Sequence, residues 1–155
     1  DNGMFIGDVS VSCDKIEVSE SVFDGGILQF VATDELLLSS NLTVPSPTIS
    51  NTYNSFECNS LSVTHLQQLT GSVVITATTS AAFNDDFISS NGSITMDVDS
   101  LGTPTSSLTL SGKKGLYITS SNGLSNSTYL YSFVSPCGQV RVNMSGSMEG
   151  VDSIS

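Results

Sequence analysis

Few residues in this chain are equipped for chemistry. It holds a single histidine, His65, and three cysteines, Cys13, Cys58 and Cys137. A nucleophilic mechanism around His65 needs a hydroxyl or thiol and a carboxylate beside it. With 30 serines in the chain, one more Ser near His65 carries no information, and no Gly-x-Ser-x-Gly turn exists to expose one. His65 stands at the end of an expected strand, where a solvent-facing imidazole is the ordinary outcome. The cysteines lack a CxxC spacing, so with one histidine they make no zinc-ligand set. They are read as disulfide candidates, one pair bonded within the chain and one thiol left over. Acidic residues form two clusters. Asp97 and Asp99 lie two apart on an expected strand and share a face, while Asp85 and Asp86 follow Asn84 in an expected loop. Hard oxygen donors of this kind suit calcium, the one cofactor considered, although EF-hand spacing is absent. Paired carboxylates also serve glycoside hydrolysis, but no Trp and 7% aromatic residues leave little to line a sugar cleft. Lys15 and Asn143 are the pair from which an isopeptide bond between first and last strands would form. Alternation around Val140, Val142 and Met144 turns Asn143 outward instead. No catalytic constellation emerges, so the expectation is a protein that is not an enzyme.

Composition narrows the classes further. The formal net charge is −11, and the only cations are Lys15, Lys113, Lys114 and Arg141. Phosphate binding needs clustered Lys and Arg, which excludes nucleic acid as a partner and argues against anionic lipid. Charged residues make up 12% of the chain, about half the usual quarter, and 30 Ser with 15 Thr take their place. Hydroxyls keep a surface wet without charging it, a composition suited to secreted, wall-associated or virion proteins. Four Asn-x-Ser/Thr sequons, at Asn41, Asn91, Asn126 and Asn143, fit glycosylation. The chain opens Asp1-Asn2-Gly3 with no initiator Met and no apolar leader, as a mature secreted protein does. No run of 18 apolar residues is present, so no membrane span is expected. The expected location is extracellular or at the cell surface.

The elements that must position these residues are short and β-type. Val9 to Val18 alternates apolar and polar residues, and the alternation breaks between Cys13 and Ile16, which requires a bulge or a bend there. Ile27 to Val31 reads as a strand buried on both faces. Leu108 to Ile118, around Gly112-Lys113-Lys114-Gly115, reads as a β-hairpin. Thr33 to Leu38 and Ala81 to Ser90 are the two helical candidates. Strands at 8–12-residue spacing separated by Gly, Pro, Asn and Ser predict an all-β chain with little helix. The expected architecture is a single Ig-like or pilin-like β-sandwich of about nine short, mainly antiparallel strands, without internal repeats. Residues 1–18 are then an N-terminal strand segment able to act as a donor strand, and 19–155 the sandwich with a polar C-terminal tail.

A sandwich must pair or blunt its edges, and a strand from a neighbour does so while polymerising the protein. In architecture such a domain resembles strand-donating pilus subunits. The expected function is therefore a structural subunit of an extracellular glycosylated filament or surface layer, with copies of itself as partner. Its anchors are Met4, Ile6, Val9, Val11 and Cys13, with the tail Met148 to Ile154 as the second choice. The alternative is a monomeric adhesive module that binds surface glycans through loop tips such as Ser120 to Asn126.

Overall fold

The computed structural model describes residues 3–19, 21–24, 26–40, 53–125 and 127–155. Strands alternate between two walls. One wall is a seven-stranded sheet of the longer strands β2 (Val9–Val18), β4 (Ile27–Leu38), β5 (Tyr53–Val63), β7 (Ser72–Phe83), β9 (Ser93–Leu101), β11 (Gly115–Ser120) and β13 (Val140–Met144). The other holds β1 (Gly3–Ile6) paired with β3 (Ser21–Asp24). It also holds a five-stranded sheet of β6 (Gln67–Leu69), β8 (Phe87–Ser89), β10 (Leu108–Gly112), β12 (Tyr131–Val134) and β14 (Val151–Ile154).

Each pairing is parallel and joins a strand to the equivalent strand one coil later, which makes the chain a β-solenoid of about six turns. Val9 lies beside Leu28, Leu28 beside Asn54, Asn54 beside Val73, and Leu116 beside Val140, so one coil takes 19 to 26 residues. At about 4.8 Å per strand spacing, the seven-stranded sheet measures about 29 Å between its outer strands.

Parallel in-register stacking puts like residues on like. Val11, Phe30, Phe56, Ile75, Met96, Ile118 and Val142 form one inward column. The Phe30 and Phe56 rings stack in it at 5.7 Å, and Phe5 stacks on Phe23 at 5.1 Å on the other wall. Asn54 interrupts the neighbouring column while fully buried, and its amide is not orphaned: Nδ2 donates to the carbonyls of Thr70 (2.8 Å) and Ser72 (3.3 Å). The long strands bend midway. Register shifts fall between Cys13 and Lys15, Val31 and Glu35, Cys58 and Ser60, and Ala77 and Ser80, and they stack into one corner. Outward polar groups tie that corner: Thr33 Oγ1 donates to Asp14 at 2.8 Å, and Thr78 Oγ1 donates to Asn59 at 2.9 Å.

The opposite corner is tight and built on glycine. A Cβ on Gly92 would stand 2.4 Å from the backbone of Gly71, and one on Gly26 would stand 2.5 Å from that of Gly7. Gly7 and Gly71 themselves have φ of 97° and 80°, a region open chiefly to glycine. Aligned on this corner, the coils share a Gly-x-φ-x-φ-x pattern, φ being an apolar residue. Gly7-Asp8-Val9-Ser10-Val11, Gly26-Ile27-Leu28-Gln29-Phe30, Gly71-Ser72-Val73-Val74-Ile75, Gly92-Ser93-Ile94-Thr95-Met96 and Gly138-Gln139-Val140-Arg141-Val142 all carry it.

This architecture overturns several expectations. The antiparallel Ig-like sandwich is replaced by parallel coils around one continuous core. A repeat is present, spread over coils of unequal length. Leu108 to Ile118 is no hairpin: β10 and β11 lie in different sheets, and the lysine turn between them stacks on the coils either side, with Lys114 N donating to Gly92 O. Thr33 to Leu38 is the second half of β4, and Ala81 to Ser90 runs through β7 and a turn into β8. Ile27 is exposed, so the first half of β4 buries one face only. In the segment 1–18, β1 and β2 form the first coil and pair with β3 and β4, and the polar tail carries β14. The register shift after Cys13 falls where the alternation breaks, but it marks a corner within one sheet.

The disulfide is also corrected. Cys13 and Cys58 lie on β2 and β5 with β4 between them. Two strand spacings of about 4.8 Å separate their backbones, beyond the reach of a disulfide. Cys137 lies in the turn before β13, and all three thiols are free.

Candidate assembly interface

Among the described residues the solenoid core runs the length of the stack between two outer rungs. Here β2 has a strand neighbour only on the β4 side, and β13 only on the β11 side. No helix lies over either end among the described residues. Repeat proteins close such ends with polar capping units, because an open end shows its core and a row of unpaired backbone groups.

The N-terminal end is apolar. Met4 is 64% exposed, Ile6 71%, Phe5 43% and Val11 36%. Phe5, Val9, Val11, Val18, Phe23 and Phe30 line a recess of about 240 Å³ there. Its residues head columns that are fully buried one coil inward, at Leu28, Phe30 and Leu38. At the other end Val140, Val142 and Met144 are only partly buried and Ile154 is 52% exposed, although they cap columns equally buried inside. The two ends are opposite edges of the same sheet, so their free N–H and C=O groups are complementary.

The expected anchors Met4, Ile6, Val9, Val11 and Cys13 come together on this first coil, with Cys13 exposed and its thiol donating to the Lys15 carbonyl at 3.0 Å. Sequence reasoning names the tail Met148 to Ile154 as second choice, which holds Ile154 of the other end, but it does not single out Phe5 and Val18 as anchors at this end or Val140, Val142 and Met144 at the other. Val140, Val142 and Met144 read as an ordinary strand, and the Gly-x-φ pattern at Gly138 is the signal that aligns them with the other coils.

The other candidates stand apart. His65 is exposed in the turn between β5 and β6, its Nδ1 3.1 Å from Thr64 Oγ1. Asp85 and Asp86 work in a turn: Asp85 Oδ1 accepts from Asp86 N at 2.8 Å, and Asp86 Oδ1 accepts from Thr109 N at 2.6 Å. Asp97 and Asp99 point outward from β9, and Asp99 accepts from Asn122 Nδ2 at 3.4 Å. Among the described residues no three His, Cys, Asp or Glu side chains group as metal ligands would. Lys15 pairs with Asp34 and Glu35 at 3.4 and 3.8 Å in full solvent, contacts of small energetic weight. It lies on β2 and Asn143 on β13, at opposite edges of the sheet, which rules out the isopeptide pair. Asn91 and Asn143 are exposed on the sides of the solenoid, whereas Asn41 and Asn126 lie outside the described residues. In the loop Ser120 to Asn126, Ser120 and Leu124 are buried, and Leu124 bridges to Met148. No described helix is long and apolar enough to cross a membrane.

The thiols differ in environment. Burial, with Glu57 beside it, pushes the Cys58 thiol up to about 11, while Cys13 and Cys137 face solvent. At pH 8 Cys58 is therefore protonated as well as shielded, and the thiolate is the nucleophile. Iodoacetamide at pH 8 is expected to label two cysteines in the native protein and all three in denaturant, counted by mass spectrometry. Labelling of Cys58 at the rate of the other two would contradict its placement.

Comparison with protein-family models, curated proteins and solved structures finds no match to this chain.

Proposed function

We propose that this chain is a non-enzymatic structural subunit of an extracellular, glycosylated filament or surface layer, built by solenoids stacking end to end. The observation that carries this reading is the pair of open ends, apolar and complementary in hydrogen bonding. Covering them removes two edge liabilities at once, and a contact between different faces of the same chain propagates without closing.

The sides of the rod suit this role. Outward columns run Ser10, Gln29, Ser55 and Ser12, Val31, Glu57, hydrated but weakly charged. Glycans on Asn91 and Asn143 would project laterally and leave the ends free. A charge of −11 per subunit discourages side-by-side association of rods more than axial growth.

Sedimentation velocity over a wide range of protein concentration tests the proposal. Growth to species much larger than a dimer is expected, with unbranched filaments in negative stain. A monomer at every concentration would overturn it.

A further inference from the structure

We propose that the outer face of β11 and β13, with the lysine turn beside it, binds an acidic polysaccharide that carries carboxylates on its sugars. The face lies on the side of the solenoid, so the proposal does not rest on end-to-end stacking.

Charge in this chain is segregated. Residues 100–148 contain Lys113, Lys114 and Arg141 and no acidic residue, while all 15 acids and Lys15 lie elsewhere. Folding gathers those three cations at one corner and the wall next to it. The turn at Cys137 lies directly on the lysine turn, with Cys137 N donating to the Lys113 carbonyl at 2.9 Å. Arg141 follows on β13, in register with Tyr117 of β11. All three cations are exposed, and among the described residues none has a carboxylate within ion-pair range, whereas Lys15 has two. Asp97, beside Thr119, bounds the face on β9. Its strand lies two spacings from β13, about 10 Å, which exceeds the Debye length of about 8 Å at physiological salt.

The groups on this face suit a planar anion held next to a sugar ring. Gln139 Oε1 accepts from Arg141 Nε at 3.1 Å and from Nη2 at 2.8 Å. Those bonds fix one edge of the guanidinium and leave the Nη1–Nη2 edge as a fork for a carboxylate. The Tyr117 ring lies over Gly115, where a Cβ would stand 2.6 Å from the ring. Glycine at 115 thus lets the ring lie along the wall, an apolar plate beside Arg141 that reaches toward the lysine turn. Exposed Thr95 and Thr119 flank it with hydroxyls for those of the sugar. Three cations on one face match a chain of sparse charge. A nucleic acid, with a phosphate about every 3.4 Å along each strand, would meet the acids beyond the face.

Fluorescence polarisation of a labelled oligogalacturonate at physiological salt tests the proposal. The protein is used dilute and made without glycosylation, since Asn143 lies on the same strand as Arg141. Arg141→Gln is expected to weaken binding about tenfold or more through loss of the charge-assisted fork. Lys15→Gln makes the same change in net charge on β2, at the far edge of the sheet. It is expected to leave affinity within about twofold, being many Debye lengths' screening away. Neutral dextran is expected not to displace the probe. Absence of binding, equal losses in the two variants, displacement by dextran, or tighter binding of an oligouridylate would each overturn the proposal. Binding by protein that never forms filaments would support it equally, so its fate is separate from that of the stacking reading.

Discussion

Replacing Gly92 with valine is expected to lower the melting temperature by about 4–12 °C, taking a steric cost of about 2–3 kcal/mol and about 2–4 °C per kcal/mol for a domain of this size. Gly92 is buried in the tight corner, and its missing Cβ is what lets adjacent coils approach. A Cβ there would lie 2.4 Å from Gly71 C and O and 2.5 Å from Ser72 N, all backbone atoms that cannot rotate away. Relief would require two coils to separate, and the buried Val73 and Ile94 beside the corner would lose contact with each other. Asn91 holds the same corner by accepting from Gly71 N, so the strain spreads to that bond. The control is Gly102→Ala, whose added methyl meets the Ala82 Cβ at 3.3 Å and no backbone closer than 3.4 Å. Thermal unfolding followed by circular dichroism should separate the two variants widely. Equal melting temperatures would mean that the glycine corner does not set the coil spacing.

The second large effect concerns assembly. Val11→Asp is expected to weaken end-to-end association by about a hundredfold or more, because a joint over the apolar recess would bury a carboxylate with no cation to meet it. An unpaired buried charge costs about 3 kcal/mol or more, and about 1.4 kcal/mol is a factor of ten in affinity. In the free subunit Val11 is 36% exposed at the rim of the recess, so Asp can turn to water there. Sedimentation should thus show the variant remaining small at concentrations where the wild type grows, with little change in its melting temperature. A variant that assembles as readily as the wild type would place the contact elsewhere.

Much of the local structure was legible in the sequence, and its arrangement was not. Period-two alternation identifies strands such as Ser93 to Val98 and fixes which side chains point inward, and the break after Cys13 marks a real register shift. Alternation says nothing about strand direction, however. A solvated antiparallel sheet and the outer wall of a solenoid both read apolar-in, polar-out. Direction was hidden in the turns: Gly112-Lys113-Lys114-Gly115 has hairpin composition, yet it carries the chain round a corner between sheets.

The repeat escaped because coil length drifts between 19 and 26 residues and two coils break the glycine rule. Thr52 and Lys114 stand where the others have Gly, and Asn54 replaces an apolar residue at the head of the pattern. The N-terminal half of the candidate site was readable, since exposed Met4 and Ile6 flank a clear strand. At the C-terminal end the tail Met148 to Ile154 stands out as a second choice but Val140 and Val142 do not, because their partial burial follows from having a strand neighbour on one side only among the described residues, a property no local pattern encodes. The cysteines misled for the same reason: a pairing argument from their number knows nothing of the strand that lies between Cys13 and Cys58.

The most direct test of end-to-end stacking is the axial repeat of the assembled material, measured by fibre diffraction or by helical reconstruction from electron micrographs. The seven strands of the long wall, at about 4.8 Å each, predict a rise of about 34 Å per chain, with the strand spacing of about 4.8 Å lying along the filament axis. Filaments whose strand spacing lies across the axis, or whose subunit rise departs from about seven strand spacings, would contradict it.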